Sequence, residues 1–379
     1  MATRRGVLKL MGGGVVLVAG GAGAFVATHG PSKSARAPWQ EAGQYEEYRR
    51  RALSYALLAP NPHNLQPWQV ELDGDHALNF YADLDRQLPA TDPYDRQITI
   101  GCGAFLELLR IAAAEDGYRA DITPFPDGED MGSLDKRPVA RVEFTPDAAT
   151  PDPLFAHVMA RRSNKEVYEP RDVDAAALLQ LEEAARVYGV SAGSTGNNDI
   201  AAHLRDLTWR AHKMEVMTPY TNQESVDLMR IGAREVAANP DGIELDGVMM
   251  SAGKMLGMLT KEQLADQTSS GFRQGLDMYQ AKAESARAFA WLTNDNESRV
   301  DQINAGRAYV RFNLKATELG LCIHPWSQAL QEYPEMAELY DEAHDLIARG
   351  KRLQMLVRVG YAPDIMPTPR RGLEAHLAV

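Results

Sequence analysis

The sequence predicts a mixed α+β fold built as two related halves in one chain, and three observations carry that prediction. The first half reads in the order helix, hairpin, central helix and two further strands, without the monotony of a parallel sheet. No G-x-G-x-x-G fingerprint opens any of its helices, so nothing local supports a dinucleotide-binding parallel fold. The stretch from Gly103-Ala104-Phe105 to Gly117 has the same length as that from Gly306-Arg307-Ala308-Tyr309 to Gly320, and each reads as a central helix ending in glycine.

Thr3-Arg4-Arg5-Gly6-Val7-Leu8-Lys9 resembles a twin-arginine export motif and leads into an apolar, glycine-rich run from Leu10 to about Ala27. Residues 1–37 therefore read as a signal or an N-terminal anchor. Ala35-Arg36-Ala37 has the small-x-small cleavage pattern, but Pro38 follows it and opposes cleavage there. The expected location is the periplasm or the outer face of the cytoplasmic membrane, with a membrane tether if the segment is retained.

Residues 38–150 form the first predicted half. Ala37 to Ala59 reads as a helix stopped by Pro60. Trp68 to Leu72 and Ala77 to Tyr81 read as a hairpin turning at Asp73-Gly74-Asp75. Ile98 to Asp116 is apolar around much of its circumference, which predicts a buried helix. Arg119 to Phe125 and Val139 to Phe144 read as strands.

Residues 151–379 form the second half. Leu154 to Ala160 and Ala175 to Tyr188 read as helices, and Ser191 to Asn198 as a small-residue loop. A helical, lid-like insert spans about 200–287, with helices expected over His203 to Val216 and Glu224 to Ala238. Its methionines Met249, Met250, Met255 and Met258 read as adaptable core or lid packing rather than a metal site. Ser285 to Thr293 then predicts a strand, Asp301 to Leu319 the second central helix, and Leu353 to Val359 a strand.

Charge and cysteines narrow the function classes. The chain has 40 basic and 52 acidic residues, a formal charge of -12; five of the basic residues lie in 1–37, leaving 35 against 52, or -17. That balance argues against nucleic acid as a partner. Cys102 and Cys322 make neither a zinc pattern nor a disulfide framework and are expected as buried free thiols; no metal site is predicted.

The chemistry concentrates in two stretches. In Arg161-Arg162-Ser163-Asn164-Lys165 two cations and a hydroxyl alternate, which suits an anionic group such as a phosphate. The same pentapeptide also fits a solvated helix end before the turn at Glu169-Pro170. Almost a hundred residues earlier stands Ala59-Pro60-Asn61-Pro62-His63-Asn64-Leu65-Gln66-Pro67-Trp68, rich in amides and pinned by three prolines.

Together these resemble the flavin-binding elements of the FMN-dependent nitroreductase family, in which an Arg-x-Ser-x-Arg/Lys element grips the FMN phosphate and a Pro-Ser-x-x-Asn-x-Gln-Pro-Trp loop reaches the flavin ring from the other subunit. Here Asn61 stands where the serine would be, and both elements lie in one chain. The order resembles the fused subgroup typified by dormancy-associated nitroreductase-like proteins of mycobacteria, where one polypeptide imitates the homodimer. Gly320-Leu321-Cys322-Ile323-His324-Pro325-Trp326-Ser327 resembles the family segment beneath the flavin, and Pro369-Arg370-Arg371-Gly372-Leu373 its terminal basic segment, with Thr368 in place of a lysine.

The resemblance implies an FMN cofactor held by Arg161, Ser163, Lys165, Asn61, His63, Asn64, Gln66, Pro325, Trp326, Ser327, Arg370 and Arg371. The Ser327 backbone N–H is placed near flavin N5, and His324 is a candidate proton donor. It implies one working site and one degenerate one, whose remnant is Arg49-Arg50-Arg51. The implied function is an oxidoreductase passing hydride to a small electrophile such as a nitro compound, quinone or enone. The alternatives are an FMN-storage protein with an occluded flavin, or an exported binding protein without redox chemistry. The expected partners are small-molecule electron donor and acceptor, and the expected assembly is a pseudo-dimeric monomer or a higher homo-oligomer.

Overall fold

The structure is a computed structural model that describes residues 30–378. The export motif and the apolar run after it lie outside the described residues. The first half contains α1 (Ala37–Glu41), α2 (Tyr48–Ala56), β1 (Trp68–Asp73), β2 (Ala77–Ala82), α3 (Arg96–Glu115), β3 (Arg119–Pro124) and β4 (Ala140–Thr145). Its antiparallel sheet has the order β1-β2-β4-β3.

The second half begins with α4 (Ala175–Ala185) and β5 (Ser191–Thr195). An insert follows: α5 (Asp199–Met217), α6 (Pro219–Asp227), β6 (Met229–Ile231), α7 (Ala233–Ala238), β7 (Ile243–Leu245), α8 (Val248–Met255), α9 (Lys261–Ala265) and α10 (Ser270–Glu284). The half then resumes with β8 (Ala288–Asn294), α11 (Arg299–Glu318), β9 (Cys322–Pro325), α12 (Ala337–Ala343) and β10 (Arg352–Gly360). Its sheet is β5-β8-β10-β9, again antiparallel. Counted within each half, both sheets run first, second, fourth, third, with a 20-residue helix between the second and third strands.

These two helices cross at the centre of the molecule, and the crossing is reciprocal. A Cβ on Gly103 would collide with the carbonyl oxygen of Ile303, and one on Gly306 with that of Ile100. Both glycines and both isoleucines are 203 positions apart, so the contact repeats itself as an isologous contact does. Arg96 and Arg299, also 203 apart, head the two helices and are both buried. Arg96 crosses to Glu332 at 3.1 Å and the carbonyl of Gln354, and Arg299 crosses to the carbonyl of Asp130 at 2.8 Å. Each arginine thus braces the connection between the last two strands of the opposite half. Gly117 (φ +81°) and Gly320 (φ +67°) follow the helices in the left-handed region that glycine favours.

The seam also holds charge. Glu107 of α3 is fully buried and meets Arg110 together with Arg307 and Arg311 of α11; Arg311 also reaches Asp152 at 2.7 Å. The surrounding arginines hold the Glu107 carboxyl below its usual range in spite of burial. The first core gathers Trp68, Phe80 and Phe105 between α3 and its sheet. The second sheet is covered on one face by α4 and α11 and on the other by α5 and α12.

Several expectations are corrected. Residues 37–59 do not form one helix: Gly43 (φ +81°) lies between α1 and α2, and Glu47 caps α2 by accepting from the Arg49 and Arg50 N–H groups. Ser191 to Asn198 is not a loop, because 191–195 pair with β8 and Gly193 lets the Trp291 ring lie against the strand. Glu224 to Ala238 is interrupted by β6, which pairs in parallel with β7, and Gly232 turns the chain at φ +83°. The insert methionines are not core: Met249, Met255 and Met258 are exposed. Ser32 to Arg36 belongs to the folded body, with Ala35 and Arg36 buried and Arg36 paired to Glu244 and Asp246. Both cysteines are free, Cys102 buried and Cys322 half-buried.

Candidate functional site

The end of α2 leaves carbonyls without helical partners, and two arginines gather on them. Arg161 Nη2 donates to the Leu58 carbonyl at 2.7 Å, while Arg370 donates from Nε to Leu57 and from Nη2 to Leu58 and Ala59. Both guanidinium groups are buried, and neither has a carboxylate within 4 Å among the described residues. Carbonyl dipoles orient them without cancelling their charge. Burial, reinforced for Arg370 by Arg161, lowers their pKa values to about 10 and about 9. The Arg161 Nε hydrogen remains without a partner.

Lys165 projects from the same element. It keeps accessible surface, yet burial pulls its ammonium below the ordinary lysine value. It has no hydrogen bond or ion pair among the described residues. Its charge is felt by His63, His324 and Lys282, and by Glu244, which also acts on Arg370.

The amide loop stands beside these cations in a tense conformation. His63, Asn64 and Gln66 all have left-handed backbones, with φ of 49°, 55° and 54°. Such residues cost on the order of 1 kcal/mol each and persist where the surroundings fix them. The Asn61 side chain accepts from the Gln66 N–H at 2.8 Å, and its Nδ2 donates to Ala59. Gln66 is fully buried; its Oε1 accepts from the Arg371 N–H and its Nε2 donates to the carbonyls of Asn64 and Pro240. Asn61 and Gln66 therefore spend their amides on shaping the loop. Asn64 accepts from Arg370 and donates to the Pro369 carbonyl at 3.1 Å. His63 is held neutral by burial and by Lys165, its pKa lowered to about 4.

The insert rests on this loop. The Gly242 N–H donates to the Asn64 carbonyl at 3.1 Å, and Asp241 pairs with Arg86 and Arg230. Arg36 ties the insert's Glu244 and Asp246 to the N-terminal segment, and Trp39 lies under Arg162 and donates to the Thr368 carbonyl.

On the other side, Pro325 closes β9 and pairs with Val357. Trp326 is buried as a wall, its indole N–H on the Thr208 carbonyl. The Ser327 hydroxyl both donates to and accepts from Leu356, whereas its backbone N–H has no acceptor among the described residues. His324 Nδ1 accepts from Arg358 Nε at 3.1 Å, so its proton sits on Nε2; burial and Arg358 keep the ring neutral.

The structure thus brings Arg161, Lys165, Arg370 and the amide loop together, and links them through Lys165 to His324. Arg371 departs from its expected place: its guanidinium points to Asp83 at 3.8 Å and to the Ala375 carbonyl, away from Arg161. Sequence reasoning missed Arg358, Lys282, Tyr279 and His212. Arg358 had a signal, a lone charge within the apolar run of β10. The other three lie on helices of an insert with no recognisable motif.

No family model matches the chain. A Mycobacterium tuberculosis protein named as an NAD(P)H nitroreductase is 25% identical over 334 residues, covering 86% of this chain and 89% of its own length. A second from the same organism, the NAD(P)H nitroreductase Acg by name, is 28% identical over 336 residues, covering 86% and 93%. Among solved structures, an FMN-dependent nitroreductase from Mycobacterium smegmatis in complex with NADPH aligns with 57% of this chain and 92% of its own, at 18% identity and a TM-score of 0.35. A nitroreductase with bound FMN from Bacteroides fragilis gives 58%, 94%, 14% and 0.34. At such TM-scores the superpositions carry no argument, and kinship rests on the sequence relatives. Over 86% of its length the chain is similar in sequence to these mycobacterial proteins named as NAD(P)H nitroreductases, and its own fold is mixed α/β with two four-stranded sheets.

Proposed function

We propose that the protein binds FMN and works as an oxidoreductase that delivers hydride to a small electrophilic acceptor. The observation that carries this reading is the set of cations Arg161, Arg370 and Lys165, drawn together in a protein of charge -12 with no carboxylate within 4 Å among the described residues; Glu244, held by Arg36, acts on Lys165 and Arg370 only from farther away. A phosphate bearing close to two charges is the counterion such a set lacks, and arginine meets it with a fixed fork of donors. Ser163 adds a hydroxyl beside them. Bound there, the flavin would supply two-electron chemistry at N5. The Ser327 backbone N–H is a free donor for that position, and the neutral His324 presents an Nε2–H. The Asn61-to-Gln66 loop supplies a rigid wall rather than free side-chain amides, and the buried Trp326 excludes water.

A flavin-storing role is the second reading, favoured by the insert's hydrogen bonds onto the amide loop and by Arg36 fastening the insert. Export rests on the Thr3-to-Lys9 motif alone. If the chain is exported, the burial of Ala35 and Arg36 supports a mature protein that retains residues from Ser32 onward, and N-terminal sequencing reads this directly. NAD(P)H is absent outside the cytoplasmic membrane, so an exported enzyme takes electrons from another small donor.

The test is an absorbance spectrum of the purified protein followed by anaerobic titration. Oxidised-flavin bands bleached by dithionite and by a small hydride donor support the enzyme. Bands bleached by dithionite alone support storage. Folded protein that neither carries nor takes up FMN rejects both.

A further inference from the structure

Next to the phosphate-type cations lies a second cluster that the flavin reading leaves unused. Lys282 of α10 is nine-tenths buried and has neither a carboxylate within 4 Å nor a hydrogen-bond acceptor among the described residues. Its ammonium lies 5.0 Å from the centre of the Tyr279 ring. Tyr279 stacks on His212 of α5 at 4.0 Å, and the Trp326 ring stands nearly perpendicular to both, 6.3 Å away. His212 is buried with its Nδ1 unpartnered. His324 packs against Trp326 at 5.1 Å. Arg358 ties the cluster together, donating to His324, to the Lys282 carbonyl at 2.7 Å and to the Glu166 carbonyl at 2.7 Å.

We propose that Lys282, Tyr279, His212 and His324 form a subsite for the electron acceptor, and that it selects a flat molecule carrying a carboxylate or another anionic oxygen. The inference rests on the flavin reading and names the substrate class of that site. A buried ammonium with no carboxylate within 4 Å is costly; Glu166 acts on it only from beyond that range, and a bound anion restores the balance. Tyr279 and His212, stacked on each other, line the subsite as one aromatic wall against which a planar ring packs. The histidines are neutral because burial, and after it the charges of Lys282 and Arg358, oppose their protonation, so they serve as hydrogen-bonding groups and leave the charge to Lys282. Glu215, whose charge Tyr279 also feels, is committed to Gln331 and Ser225. The cluster adjoins Pro325-Trp326-Ser327, the segment proposed to lie against the flavin ring, and Lys282 is a cation separate from the Arg161–Arg370 pair.

Two probes of one shape and different charge test this: 4-nitrobenzoate and 4-nitrobenzamide, titrated into the full chain in the oxidised state without a donor. Flavin difference absorbance and quenching of tryptophan fluorescence both read binding. The expected result is at least a ten-fold preference for the carboxylate in the native protein. Lys282→Met should bring it to within two-fold of the amide, while Lys282→Arg keeps the preference and both variants keep native FMN content. Equal affinity for the two probes in the native protein overturns the proposal, as does a preference that survives Lys282→Met. Displacement of 4-nitrobenzoate by inorganic phosphate at equal concentration also overturns it, since the site then reads a bare anion. Protein that lacks flavin but shows the charge preference by tryptophan quenching rejects the flavin reading and retains the subsite.

Discussion

Two basic runs, one in each half, contain three charges each and have opposite fates. In the first, Arg49 meets Glu47 at 2.8 Å and the carbonyls of Gly74 and Ala77, Arg50 meets Glu374, and Arg51 meets Asp116 at 2.7 Å. In the second, neither Arg161 nor Lys165 has a carboxylate within 4 Å among the described residues, and Arg162 lies over the Trp39 ring. What separates a brace from a binding site is therefore the company of the charge, not its spacing along the chain. The first run is used up in holding α2 to its hairpin, to Glu374 and to Asp116 at the end of α3; the second keeps charge that the proposed ligand would meet.

The sharpest way to break this contrast is to remove the unpaired cations. Replacing Arg161 and Arg370 together by alanine should weaken FMN binding by a factor on the order of a thousand, from about 2 kcal/mol for each charge-assisted contact. Equilibrium dialysis against free FMN measures it, and unchanged affinity would remove the site assignment. Arg49→Ala should do the reverse, lowering stability by about 2–3 kcal/mol in urea unfolding while flavin content stays the same.

Where the halves match, they should respond alike. Gly103→Ala and Gly306→Ala each push a methyl into a carbonyl of the opposite helix, at a cost of about 1–3 kcal/mol, and their losses should agree closely. Markedly unequal unfolding midpoints would show that the crossing is less reciprocal than its geometry. The smallest effect concerns pH. His212 has its pKa lowered to about 3 by burial and by Lys282, from an unfolded value near 6.5. The stability linked to its neutral form is complete above pH 6.5 and is lost as the pH falls from there toward 3. Relative to the native protein, His212→Phe should lose less on acidification, by about 1.4 kcal/mol per pH unit below 6.5. Parallel pH profiles for the two proteins would place His212 in a more polar setting.

Much of the scaffold was legible in the sequence because its signals are local. The hairpin turn, the apolar faces of α3 and α11, and the glycines ending both helices each declare themselves within a few residues. The basic element and the amide loop were legible as a pair through their resemblance to a family. The employment of individual atoms was not. Gln66 is in the expected loop, yet whether its amide faces a ligand depends on Arg371 and Pro240, hundreds of positions away. Arg371 follows Arg370 directly, yet it points to the Asp83 carboxylate while Arg370 stays on the carbonyls of Leu57, Leu58 and Ala59. The insert was read least well, since Gly232 and Gly242, both at positive φ, cut an apparently helical stretch into short strands. Its contribution of Lys282 and Tyr279 depends on how α10 is folded back, which composition does not encode.

The reciprocal seating of Gly103 and Gly306 also bears on how such a protein changes over generations. In an assembly of two identical subunits every mutation arrives twice, on both sides of the axis, so a substitution that improves one cavity must be tolerated in the other. A single chain with the same crossing receives each mutation once. The basic run of one half can then serve as a brace, as Arg49-Arg50-Arg51 does, while the other half carries a long insert that a symmetric partner would have had to accommodate as well. The two glycines are the exception to that freedom, because each is the socket for the opposite helix, and a change in either is felt by both halves.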